Sequence, residues 1–99
     1  MTPSATDFLI VLQDLIDSRK IEMPENSYTA KLFQKGINKI AQKLGEEAVE
    51  LIIEAKDENR DLFINEAADL LYHFLVLLSA KGCRMEEVME VLRERHKKL

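Results

Sequence analysis

The 99-residue sequence predicts an all-α fold: a bundle of four main helices and one short helix, completed by association with a second copy of itself. Three observations predict it. Only three Gly and two Pro interrupt the chain, aromatic residues make up 6% of it, and Leu, Ile, Ala, Glu and Lys are abundant, which favours helices over sheets. Apolar residues recur at helical spacing rather than in strict alternation. The segment 60–81 is apolar almost all round, and a single domain of this size does not easily bury such a helix on every side. A homodimer or larger homo-oligomer is therefore expected.

The elements follow in order. The first helix is expected over Asp7–Arg19, with Thr6 as its N-cap and Phe8, Leu9, Leu12, Leu15 and Ile16 as its apolar face. Pro24 and Asn26 mark a loop. A short helix follows Ser27 and ends near Gly36, a residue suited to a helix C-terminus. The third helix spans Ile37–Lys56, and Asp57, Glu58 and Asn59 form a polar connection. The fourth spans Arg60–Lys81 and is closed by Gly82. The last begins at Met85 and runs to the end, with Val88, Met89, Val91 and Leu92 on one side. Its basic end, Arg93–Lys98, complements a helix C-terminus. Residues 1–99 form one domain without repeats or linkers.

Composition excludes some functions. With 14 Lys and Arg against 18 Asp and Glu the net charge is −4, which disfavours nucleic-acid binding as a main function. A polyphosphate remains within reach if metal ions or a local basic patch offset the charge. The single cysteine, Cys83, can form no intrachain disulfide and fits a reducing cytoplasm. Met1–Asp7 lacks the basic start of a secretory signal. The apolar run Ala67–Ala80 is broken by Asp69 and His73, and reads as too short and too polar for a membrane span.

The chemistry lies on the two central helices. At about 100° per residue, Lys43, Glu47, Glu50 and Glu54 fall within roughly 40° of one line, and Glu46 lies about 60° to one side. On the next helix Glu66 and Asp69 interrupt an apolar surface. Glu47 with Glu50, and Glu66 with Asp69, are each three residues apart and so share a helix face. Like charges at that spacing destabilise a helix, and a carboxylate in apolar surroundings needs a partner, a metal or a proton. Mg²⁺, or Mn²⁺, answers the need: hard cations take oxygen ligands from carboxylates, waters and phosphates. Such ions screen phosphates, polarise the phosphorus under attack and activate a water. The plainer alternatives are a solvated face with ordinary ion pairs for Glu46, Glu47 and Glu50, and a buried ion pair for Glu66 and Asp69. A di-iron centre would need His three residues after two of these acids, and Glu50 and Asp69 stand there instead.

His73 lies about 20° from the line of Glu66, where it can orient a carboxylate or simply be a hydrogen-bonded core residue. Lys31, Lys35, Lys39 and Lys43 recur every fourth residue and lead into the acidic stripe, either as a phosphate-binding row or as a solvated face. Gly45 weakens its helix, and either lets a ligand approach or eases packing.

The pattern Glu47-x-x-Glu50, fifteen residues, Glu66-x-x-Asp69 resembles the signature of the all-α nucleoside triphosphate pyrophosphohydrolases, the MazG-like superfamily. Ser27-Tyr28-Thr29-Ala30, Lys35-Gly36, the stretch Lys43–Glu50 and Glu66–His73 narrow the likeness to the phosphoribosyl-ATP pyrophosphohydrolases of histidine biosynthesis, and it covers nearly the whole chain. The resemblance implies an intertwined homodimer that hydrolyses 1-(5-phosphoribosyl)-ATP to 1-(5-phosphoribosyl)-AMP and pyrophosphate, with Mg²⁺ at the acids. It implies metal or water-activating roles for Glu46, Glu47, Glu50, Glu66 and Asp69, and substrate contact for Ser27, Thr29, Lys35 and Lys43. Glu47 and Glu50 are the candidate proton acceptors. Glu54 stands where the family pattern leads one to expect a small residue. The cyclohydrolase to which this domain is fused in some organisms needs a zinc site that one cysteine cannot supply. Two rivals remain at this level: a housecleaning hydrolase of the same superfamily acting on dUTP, dCTP or damaged nucleotides, and a non-enzymatic helical adaptor.

Overall fold

The computed structural model describes residues 4–98. Met1, Thr2, Pro3 and Leu99 lie outside the described residues, and with them part of the expectations for the opening segment and for the end of the last helix.

Five α-helices make the fold: α1 (Ala5–Glu22), α2 (Tyr28–Lys35), α3 (Ile37–Ala55), α4 (Arg60–Ala80) and α5 (Met85–Arg95), followed by a 3₁₀ turn over His96–Lys98. The expected count and order hold. The last helix gives way to the tighter turn at His96 rather than continuing.

The helix ends follow local chemistry. Ser4, not Thr6, caps α1, its hydroxyl accepting from the Asp7 amide at 3.1 Å, and Thr6 lies inside the first turn. Both residues suit an N-cap, so composition alone does not choose between them. At the other end α1 continues to Glu22, past the expected Arg19, and closes with Met23 in the left-handed region at φ 48°. Ser27 caps α2, accepting from the Ala30 amide at 3.1 Å. Gly36 alone joins α2 to α3, and its φ of 92° admits little but glycine. Asn59 caps α4 through the Leu62 amide at 3.1 Å.

A small core gathers Ile16 of α1, Leu32 of α2, Ile40 of α3, Leu75 and Val76 of α4 and Met85 of α5. Burying one such side chain is worth roughly 1.5–3 kcal/mol. The apolar face expected for α1 is only partly right. Ile16 is buried, but Phe8 and Leu15 are exposed, and Gln13 is fully buried. The Gln13 amide bridges two backbone groups, for Nε2 donates to the Cys83 carbonyl at 2.9 Å and Oε1 accepts from the Met85 amide at 2.5 Å. It thereby pins the start of α5 to α1. Beside it Arg84 pairs with Asp14 at 2.8 Å and Asp17 at 2.9 Å, Asp17 also accepts from Ser79, and Lys20 donates to the Ser79 carbonyl at 2.6 Å.

Only the C-terminal half of α4 is buried in this core. The hairpin formed by the end of α3 and the start of α4 extends beyond it and leaves Val49, Ile52, Ile53, Leu62, Phe63, Ile64 and Leu71 exposed. The radius of gyration, 14.8 Å, exceeds the ~13 Å typical of a compact chain of this length. By length and composition α4 is apolar enough to cross a membrane, against the expectation from the shorter run Ala67–Ala80. The helix is longer than that run, and its apolar residues serve the core at one end and the hairpin at the other.

Candidate active site

The acids come together where α3 and α4 lie side by side. One carboxylate oxygen from each of Glu47, Glu66 and Asp69 lies within 4.8 Å of the others. Three residues along a helix turn it by about 300°, so Glu66 and Asp69 both reach the face opposed to α3. Glu47 is buried, Glu66 half-buried and Asp69 exposed, so the cluster opens outward at Asp69. Glu47 Oε2 and Glu66 Oε2 are shut away from solvent without a hydrogen-bond partner among the described residues.

That arrangement is electrostatically unbalanced. Burial pushes the Glu66 carboxyl up to about 7, and neighbouring Glu50 and Glu47 add to the rise. Without a cation, Glu66 thus holds a proton near neutrality. Lys43 offsets only part of the charge, its Nζ lying 3.9 Å from Glu47 Oε1 and 3.4 Å from Glu46 Oε1. Two orphaned carboxylate oxygens and an all-oxygen donor set fit a hard divalent cation, and nothing in the set offers the imidazole or thiolate that softer metals prefer.

The other expected site residues are distributed around this cluster. Glu50 is exposed and acts on Glu66 at the rim. Glu46 is not one of the three converging acids: it accepts from Gln42 Nε2 at 2.8 Å, and Gln42 and Lys43 hold its carboxyl below the usual range. Ser27 is engaged as the cap of α2, and Lys35 is exposed in the last turn of that helix. Thr29 is buried, its hydroxyl bonded to that of Tyr72. Glu54 is half-buried with Oε2 out of contact with solvent, in a pocket of about 290 Å³ at the tip of the hairpin. Gly45 faces away from the acids, about 200° around the helix from Glu47. A Cβ there would meet nothing within 4 Å, so Gly45 eases no packing within this chain.

His73 is buried, and its Nδ1 lies 2.7 Å from the backbone carbonyl of Asp69, not from the Asp69 carboxylate. A carbonyl only accepts, so Nδ1 carries the proton. Nε2 therefore accepts, and the Tyr28 hydroxyl at 3.0 Å donates to it. Tyr28, Tyr72 and His73 form a cluster of rings with centroids 5.1 to 6.3 Å apart. These contacts tie the start of α2 to the acid-bearing stretch of α4. Sequence reasoning gave roles to Thr29 and His73, whereas Tyr28 and Tyr72 entered only within the matched segments, with no role of their own. Helical periodicity carries no signal for a contact 45 residues apart in sequence.

The same two helices frame an apolar cleft of about 570 Å³ lined by Leu44, Ala48, Leu51, Ala67, Leu70, Leu71 and Phe74.

Known proteins share this chain's sequence along most of its length. Residues 9–96 match the family model described as phosphoribosyl-ATP pyrophosphohydrolase. A histidine biosynthesis bifunctional protein HisIE from Bacteroides thetaiotaomicron is 57% identical over 90% of this chain, which spans 44% of that protein. Proteins named phosphoribosyl-ATP pyrophosphatase from Leptospira biflexa and Metallosphaera sedula are 47% and 48% identical over 91% and 93% of this chain, and it covers 98% and 99% of their lengths.

Proposed function

From the premise that this chain belongs to the phosphoribosyl-ATP pyrophosphohydrolase family, we propose that it hydrolyses 1-(5-phosphoribosyl)-ATP to 1-(5-phosphoribosyl)-AMP and pyrophosphate in histidine biosynthesis. The observation that carries the reading is the convergence of Glu47, Glu66 and Asp69, two of them with an orphaned oxygen. A helical adaptor has no use for such a cluster on an otherwise apolar helix.

Glu47, Glu66 and Asp69, with Glu50 and Glu46 at the rim, would hold Mg²⁺, or Mn²⁺ in its place. When bound, the ion supplies charge neutralisation for the triphosphate and for the departing pyrophosphate. The remaining work falls to the chain. Water adds to phosphorus at the α–β bridge, the bridging P–O bond breaks, and pyrophosphate leaves. The water's proton passes to a carboxylate, and Glu50 suits this role because it is exposed beside the cluster, with Glu47 as the buried alternative. Lys43 sits against the acids and can turn its ammonium to a phosphate, and Lys35 can approach from α2. Ser27 and Thr29 act chiefly by fixing the start of α2 beside the site.

A second copy completes the molecule in this reading. The exposed apolar residues of the hairpin and the apolar cleft support an interface between two chains, and Gly45 lies among them on the outer face of α3, where a partner helix can come close. A cytoplasmic location accords with the single free cysteine.

The test is a chromatographic product assay in Mg²⁺ with phosphoribosyl-ATP beside ordinary and deoxynucleoside triphosphates. Preferential release of phosphoribosyl-AMP and pyrophosphate is expected. Preference for a deoxynucleotide would move the enzyme to nucleotide-pool sanitation, and no turnover would revive the adaptor.

A further inference from the structure

Tyr28 stands out among the residues near the acids because half of its surface is exposed while its hydroxyl is tied down. The tie is specific. His73 offers Nε2 as an acceptor because its Nδ1–H is committed to the Asp69 carbonyl at 2.7 Å. The phenol proton is therefore used on His73 and does not reach a ligand. What Tyr28 still presents outward is its ring.

Two neighbours connect that ring to the acid cluster. On one side His73 links it to the backbone carbonyl of Asp69, whose side chain is one of the converging three. On the other, Lys43 of α3 lies within electrostatic reach of Tyr28. Lys43 is in turn 3.9 Å from Glu47. The Tyr28 ring stacks with that of Tyr72, whose plane is inclined to it by only 29° at a centroid distance of 6.3 Å. Tyr72 is fixed by its bond to Thr29. An aromatic ring held by its hydroxyl, stacked against a second ring and half exposed offers a rigid surface to a flat apolar group.

We propose that Tyr28 is a substrate-contacting residue whose exposed ring stacks on the purine base of the nucleotide, with His73 as the positioning residue that holds it. The inference rests on the proposed hydrolysis of a phosphoribosyl nucleotide and adds a division of labour. Lys43 and the acids take the polyphosphate, and Tyr28 takes the base. Stacking tolerates substituents at the edge of the base, because it uses the face.

The chain has only two tyrosines and no tryptophan, so their ring protons are easily resolved by NMR and assigned with Tyr28→Phe. The probe is AMP in the presence of Mg²⁺, against ribose 5-phosphate as a control lacking the base. AMP is expected to shift the Tyr28 ring protons upfield and leave Tyr72 nearly unmoved, and ribose 5-phosphate to shift neither. In kinetics with phosphoribosyl-ATP, Tyr28→Leu is expected to raise KM about tenfold with a smaller change in kcat, and Tyr28→Phe, which keeps the ring, to lose less. If phosphoribosyl-ATP is hydrolysed but AMP leaves Tyr28 unmoved, or Tyr28→Leu lowers kcat at constant KM, the stacking role is overturned while the proposed activity stands. If AMP shifts Tyr28 but phosphoribosyl-ATP is not turned over, the base platform stands and the proposed activity is lost. A Tyr28→Leu protein of altered mass in light scattering would assign the ring to the contact between copies, and would also overturn the role.

Discussion

Glu47 on α3 and Glu66 on α4 face each other with one oxygen apiece, Oε2 in both, cut off from water and from every hydrogen-bond donor among the described residues. The cost of that pairing depends on pH. Glu66 is raised from 4.5 to about 7 in the folded chain, so between those values the folded state binds more protons than the unfolded one. Stability without metal should therefore be unpenalised by this group below about 4.5, fall as the pH rises through 7, and carry the full penalty above it. Melting scans in chelator from pH 4.5 to 8 should show the fall, and Glu66→Gln should flatten it.

Divalent cations should reverse the penalty. At pH 8, Mg²⁺ at ten times its dissociation constant should stabilise the fold by about 1.4 kcal/mol. For a domain of this size that is roughly 6–11 °C in Tm. Mn²⁺ should act similarly, and Asp69→Asn should weaken both. A protein whose melting ignores Mg²⁺ at pH 8 would contradict the cation reading of the cluster.

Glu50→Gln should fold normally, since the residue is exposed, and should lose about 10²- to 10⁴-fold in kcat. Glu47→Gln should lose Mg²⁺-dependent stabilisation as well, because Glu47 is one of the three converging acids. Unchanged turnover in Glu50→Gln would pass the role of proton acceptor to Glu47.

Ile52, about half exposed on α3, and Leu71 on α4 should lie in the contact between copies. The wild-type protein should scatter light as at least twice 11.4 kDa at micromolar concentration, and Ile52→Glu should fall toward the monomer. A monomeric wild type would remove the reason for these apolar residues to be exposed.

Gln13→Ala should destabilise the fold by about 1–3 kcal/mol, because the Cys83 carbonyl and the Met85 amide both lose their partner. The effect should appear in urea melting without any change in Mg²⁺ affinity, since Gln13 sits at the α1–α5 contact.

Most of the fold was legible because it is written in local signals. Ser27 and Gly36 bracket α2 as their chemistry requires, and the apolar excess of the 60–81 segment is visible as the exposed half of α4. The acids were legible for the same reason, since spacings of three residues fix a helix face regardless of the rest of the fold. What stayed hidden is long-range. Periodicity says nothing of whether a polar residue on α1 is needed 72 residues later, so nothing in the sequence marks Gln13, which is fully buried. Helix geometry already set Glu46 about 60° off the line of Glu47, but its engagement by Gln42 and Lys43 is a matter of side-chain reach that spacing does not show. Tyr28 was visible only as part of a matched segment, because its ring acquires a purpose only when α4 brings His73 to its hydroxyl.

The converging acids all sit on one helical hairpin, α3 and α4, whose two arms are joined by only Lys56–Asn59. Their encounter needs the closure of one short loop, which is among the fastest events available to a folding chain. The acid cluster can therefore form early and locally, while Tyr28, proposed above to meet the base, reaches its place only through packing between residues distant in sequence. Such a hairpin is also a portable unit. Joined to new flanking helices, it would bring its phosphate chemistry intact and acquire its choice of nucleotide from whatever ring or cation its new neighbours supply.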